Sequence, residues 1–152
     1  MASINVGVAP RTEEGLRVGW VAYHFPPVGG AGTQRSLKFT ANLPRFGIDP
    51  VVLTGSGQQA GRWTPSDRTL IREVPDGVEV RRLSGEPEPS GDGWSGRVER
   101  LCLTRSRWEK WWQAGVRSEL LRLGDVDLLY ASMSPFSSAQ AVAFAASRLQ
   151  VP

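Results

Sequence analysis

Within residues 16–55 a short apolar run, a glycine-rich turn, an apolar-periodic stretch and a second apolar run follow one another. Few folds accommodate that order. Leu16-Arg17-Val18-Gly19-Trp20-Val21-Ala22-Tyr23 is too short for a stable helix and rich in β-branched and aromatic residues. It reads as a strand covered on both faces. Phe25-Pro26-Pro27 ends it, because proline has no N–H for a ladder. Val28 to Gly32 is a turn, and Thr33 is a suitable N-cap for a helix carrying Leu37, Phe39, Thr40, Ala41, Leu43 and Phe46 at helical spacing. Gly47 is placed to stop that helix. Val51-Val52-Leu53-Thr54 is the second strand, closed by Gly55-Ser56-Gly57. The result is a βαβ unit, whose crossover is right-handed in nearly all proteins.

The alternation continues downstream. A polar loop over 55–66 precedes one helical turn at Asp67–Glu73, and Gly77–Leu83 alternates like an edge strand. Gly85, Pro87, Pro89, Gly91 and Gly93 mark a flexible insertion over 84–95. A helical stretch runs from Arg97 to Leu123, with breaks expected near Thr104 and Gly115. Val126–Ser132 is the fourth strand, and Pro135 precedes an Ala-rich helix over Ser137–Leu149. We therefore expect the α/β class: a Rossmann-like parallel sheet in the order 3-2-1-4, with helices on both faces. Residues 1–15 lack any period and read as a flexible leader, and 16–152 as one domain. The βαβ logic asks for a further strand beside the fourth, whose edge is otherwise open, so the chain reads as a piece of a longer fold.

Composition narrows the chemistry. One Cys excludes an internal disulfide and a Cys-rich zinc site, and one His removes His-pair metal sites. A net charge of +3 permits contact with phosphates or anionic lipid, but it is too mild to indicate nucleic acid. No basic start followed by an apolar stretch marks a signal peptide, and no run is long enough to span a membrane. The expected location is cytoplasmic.

Gly29-Gly30-Ala31-Gly32-Thr33-Gln34-Arg35 joins the first strand to the first helix. Free backbone N–H groups and the positive end of the helix dipole meet there, and glycines let a phosphate approach the backbone. Arg35 offers a guanidinium fork. The alternative is a tight turn without a ligand. A dinucleotide fingerprint fails: Arg35 stands where its third glycine belongs, and Thr54 rather than an acid ends the second strand. A Walker A loop fails for lack of Gly-Lys-Ser/Thr. His24 is the one candidate base, at a strand end where ligands bind in such sheets, or else a structural histidine beside Phe25. Gly55-Ser56-Gly57 is no nucleophile elbow, and nothing marks Cys102 as reactive rather than buried in a helix.

Taken together, Phe25-Pro26-Pro27-Val28-Gly29-Gly30-Ala31-Gly32-Thr33-Gln34-Arg35, the closing Leu43 and Phe46-Gly47, and the strand Pro50-Val51-Val52-Leu53-Thr54 resemble the opening of family 4 glycosyltransferases of the GT-B fold. Asp127-Leu128-Leu129-Tyr130-Ala131-Ser132-Met133-Ser134-Pro135-Phe136-Ser137 is similar to that family's fourth strand and loop, with Ser134 where many relatives carry a proline. The resemblance implies the acceptor-side domain of a retaining transferase that uses a nucleotide-sugar donor, without cofactor or metal. The donor-binding domain is not in this chain, so the isolated chain is expected to be inactive. By the same resemblance Gly29, Gly30, Ala31, Gly32, Thr33 and Arg35 would approach the donor diphosphate, and His24, Ser132 and Ser134 would orient sugar hydroxyls. The catalytic residues stay unassigned. Two alternatives remain open: a stand-alone phosphate-ligand or protein-binding module, and a fragment of a sugar-nucleotide epimerase. In the order 3-2-1-4 the carboxyl ends of strands one and four form a crevice faced by two helix N-termini.

Trp108, Trp111 and Trp112 lie among Arg100, Arg105, Arg107 and Lys110. Trp108, Trp112, Val116, Leu120 and Leu123 recur at helical spacing, which suits a stripe packed on the sheet. The alternative is a basic-aromatic face on anionic lipid, a peripheral contact at the inner membrane surface, with Trp111 off the main stripe.

Overall fold

A computed structural model describes residues 15–58, 65–87 and 106–152. Cys102 and the helix start expected near Arg97 lie outside the described residues. The chain forms an all-parallel four-stranded sheet in the order β3-β2-β1-β4. The strands are β1 (Leu16–Val21), β2 (Ile48–Thr54), β3 (Glu79–Arg82) and β4 (Leu128–Ala131). Register is fixed by Val21↔Leu53 and Val21↔Ala131 on either side of the central strand. The expected order and the edge position of the third strand hold.

Helix α1 (Ala31–Asn42) crosses from β1 to β2 and covers one face. Its Leu37 packs with Val18, Trp20, Ala22, Phe25 and Val52 beneath it. Burying a side chain such as Leu37, fully enclosed here, contributes roughly 1.5–3 kcal/mol. Two aromatics that share its helical spacing lie outside this core: Phe39 is 54% exposed and Phe46 77%. Phe39 instead stacks at the rim on Trp20, which is sandwiched between it and Tyr130. A four-residue 3₁₀ turn (Leu43–Phe46) ends the element, and Gly47 stops it at φ 71°.

The other face is covered by α2 (Arg107–Leu123) and α3 (Ser137–Leu149). Ser106 starts α2 with a capping box: its hydroxyl accepts from the Glu109 N–H at 3.1 Å, and Glu109 Oε2 accepts from the Ser106 N–H. Trp112, Val116 and Leu120 are wholly buried, so the expected stripe does pack on the sheet. The break expected at Gly115 is absent. A side chain there would strike Leu83, with Cβ 2.6 Å from Leu83 Cδ1, so glycine allows close approach of α2 to the end of β3. Helix α3 runs as expected, over Ser137–Leu149. Beyond it the chain turns back along β4, and the Leu129 N–H donates to Pro152 O at 2.9 Å. Part of the edge expected to be open is therefore paired. Among the described residues no helix is long and apolar enough to cross a membrane.

Candidate functional site

The carboxyl ends of all four strands carry the loops of interest. Helix α1 begins at Ala31, two residues before the expected cap. Gly30 is its N-cap, at φ 104°, ψ 170°, a backbone that side chains rarely adopt. Thr33 is therefore not the cap. It sits buried inside the first turn, donating from Oγ1 to Gly29 O at 3.3 Å. No side chain caps this helix and no acid stands in its first turn. The amides of Ala31, Gly32 and Thr33 thus carry the positive end of the dipole without a local counter-charge. Arg35 falls one turn further along than expected and is exposed.

Gly29 has a different role from its neighbours. Its N–H donates to Pro65 O at 2.6 Å, and the Asp67 N–H returns a bond of the same length to Pro27 O. These two bonds form the antiparallel bridge Val28↔Ser66 and clamp the glycine turn to the 65–67 segment. A Cβ on Gly29 would lie 3.2 Å from Pro65 O, so this glycine serves packing and its amide is already engaged.

His24 is half-buried beside Gly32, whose Cβ would lie 3.6 Å from the imidazole Cδ2. Its ring meets Tyr23 edge-on at 4.9 Å. Burial lowers the His24 pKa from its ordinary value, which favours the neutral imidazole. The pairing of Val21 with Ala131 sets the loops that follow β1 and β4 side by side. The Ser132 N–H donates to Val21 O at 2.8 Å, while Ser134 is exposed. Helix α3, like α1, has no side-chain cap. The Ser137 hydroxyl in its first turn is buried without a hydrogen-bond partner.

Two further groupings were not anticipated from the sequence. The first centres on Glu86. One carboxylate oxygen accepts from the Tyr23 hydroxyl at 2.5 Å and from Trp108 Nε1 at 2.9 Å. The other accepts from the Ser56 N–H and hydroxyl. Burial pushes this carboxyl up, but the hydrogen bonds from Ser56, Tyr23 and Trp108 outweigh it and hold the pKa below its ordinary value. The same contact and its own burial raise the Tyr23 phenol. Trp111, the residue off the stripe, donates from Nε1 to Ser84 O at 2.9 Å and packs against the core.

The second grouping is an open groove of about 600 Å³, lined by Pro27, residues 56–58, Ser66, Arg68, Ile71 and Arg82. It lies toward β2 and β3, next to the clamp that holds the glycine turn. Arg82 donates from Nη2 to Pro26 O, and its Nη1 would be 2.9 Å from a Cβ on Gly57. A spacing-based reading leaves Arg68 in a helical turn and Arg82 on an edge strand. Only the fold brings them to one groove.

The chain was compared with known families, curated proteins and solved structures, and it matches no family model, no curated protein and no solved structure.

Proposed function

We propose that this chain is the acceptor-side domain of a retaining glycosyltransferase that takes its sugar from a nucleotide-sugar. The reading rests on the motif resemblance to family 4 enzymes. The observation that carries it is the uncapped start of α1, with Gly30 at positive φ and the free first-turn amides of Ala31, Gly32 and Thr33 at the carboxyl end of β1. Such amides stabilise charge that develops on a departing diphosphate, and they need no reorganisation to do so. In this reading neutral His24 and the hydroxyls of Ser132 and Ser134 orient sugar hydroxyls, and Arg35 approaches the donor from outside. Most of the donor is held by a second domain.

The test compares the purified chain with a fusion that joins it to the donor-binding domain of a family 4 glycosyltransferase. Both are incubated with labelled nucleotide-sugars and candidate acceptors. The expected result is no glycoside from the chain alone and transfer with retained anomeric configuration from the fusion. Turnover by the chain alone, or none by a fusion that binds nucleotide-sugar, overturns the reading.

One observation favours a second reading, a stand-alone phosphate-ligand module. The groove holding Arg68 and Arg82 is formed wholly within this chain and needs no partner domain. The epimerase alternative has no observation of its own in its favour.

A further inference from the structure

We infer that the groove lined by Pro27, Arg68 and Arg82 is a phosphate-monoester subsite, with Arg68 and Arg82 as its two cations. As the subsite for a phosphate carried by the acceptor, it rests on the proposed function above. As a binding site it stands on its own geometry.

Charge accounting carries the argument. Among the described residues no acid lines the groove. The acids near it have partners of their own, cationic for Glu73 and Glu79 and neutral for Asp67 and Glu86. Asp67 accepts from the Thr69 N–H and hydroxyl. Glu73 pairs with Lys38, and Glu79 with Arg17 and Arg81. Glu86 takes its four donors from Tyr23, Trp108 and Ser56. Among the described residues neither Arg68 nor Arg82 has a carboxylate partner. Two guanidinium groups lining one groove, with no acid in that lining, favour an anion there.

Geometry adds to charge. Arg82 is anchored by the Pro26 carbonyl and fits over Gly57, where any Cβ would displace it. A guanidinium already held in place loses little freedom on binding, and its remaining N–H groups suit the oxygen pairs of phosphate. Ser66 and Gln58 add neutral donors at the rim. Near neutral pH a phosphate monoester carries close to two negative charges, which matches two arginines better than one carboxylate does. Pro27 and Ile71 give the groove an apolar side. Its volume leaves space for the organic group that bears the phosphate.

A phosphate monoester reaches such a groove on a small soluble molecule or on a lipid headgroup, and two arms of one experiment separate these sources. The purified chain is titrated with glycerol 3-phosphate, with glycerol as blank, and the heat of binding is measured. In parallel it is sedimented with phosphatidylcholine vesicles that contain or lack phosphatidic acid. We expect saturable binding in at least one arm. Arg68→Gln and Arg82→Gln should each weaken it about tenfold, the worth of one charged fork. Arg45→Gln, exposed in the turn that ends α1 at the other end of the sheet, should leave it unchanged. Circular dichroism verifies that each variant is folded. Binding in neither arm, or binding that survives undiminished in the folded Arg68→Gln/Arg82→Gln double variant, overturns the inference. Transfer by the fusion without phosphate binding would sink this subsite and leave the transferase standing. Phosphate binding without transfer would do the reverse.

Discussion

Trp108 donates its indole N–H to Glu86 at 2.9 Å, and this bond ties the segment leaving β3 to the first turn of α2. The same carboxylate accepts from Tyr23 beyond β1 and Ser56 beyond β2. One acid thus joins three loops and a helix at the carboxyl end of the sheet. Its ionised form is the one the folded state favours, so its contribution to stability has a definite pH dependence.

Glu86→Gln should cost about 1–2 kcal/mol at neutral pH, the low end for hydrogen bonds to a charged group that keeps some exposure. The folded pKa is depressed, so this contribution is complete above the unfolded carboxyl pKa. It is lost as pH falls through the lower, folded value. Urea unfolding of both proteins across that acid range should show the gap between them closing. A gap that stays constant would show that charge has no part in it.

Ser138→Ala should destabilise the fold by about 1–3 kcal/mol, because it strands a buried donor. Trp112 Nε1 donates to Ser138 Oγ at 2.9 Å, and both residues are fully enclosed between α2 and α3. The urea midpoint is the measurement. No change would mean that the indole N–H finds another acceptor.

Gly30 and Gly32 should respond in opposite directions. Gly30→Val forces a branched residue to φ 104°, a strain of about 1–3 kcal/mol whatever the site binds. Gly32 lies inside α1, and a Cβ there meets His24 at ordinary contact distance. Gly32→Ala should therefore stabilise by roughly 0.4–1 kcal/mol through the unfolded chain. Loss of transfer in a Gly32→Ala fusion that has gained stability would report on the site alone.

Ser106→Ala should cost about 1 kcal/mol through loss of the capping box at α2. Because the cap adjoins Trp108, near-ultraviolet circular dichroism of the tryptophans should weaken with it. An unaltered midpoint would show that packing of the Trp112 stripe alone sets where the helix starts.

Much of the architecture was legible because its signals are local. The β1–α1–β2 unit is written in two apolar runs around Gly29–Gly32, and α3 in Pro135 followed by alanines. Ser106 and Glu109, three apart, spell the capping box that opens α2, close to the break expected near Thr104. Phe39 and Phe46 share the helical spacing of Leu37 yet are exposed, because periodicity identifies a face without saying how far the sheet extends beneath it. The Glu86 cluster was not legible: Tyr23 and Glu86 are 63 residues apart, and only the strand order brings them together. The arginine groove was hidden for the same reason. The Gly29 amide was counted as free, since no spacing rule shows that Pro65 takes it.

The double strap between 27–29 and 65–67 has a mechanical meaning. Gly29 to Pro65 and Asp67 to Pro27, the two bonds of the Val28–Ser66 bridge, work as a rivet through two sheets of metal, not as a hinge. Arg68 follows directly on one plate and the first amides of α1 on the other. A force that shifts either wall is passed to its neighbour within a few ångströms. Cutting the rivet, for example with Asp67→Pro to delete the N–H that reaches Pro27 O, would let the two walls rattle independently while the sheet beneath them stayed intact.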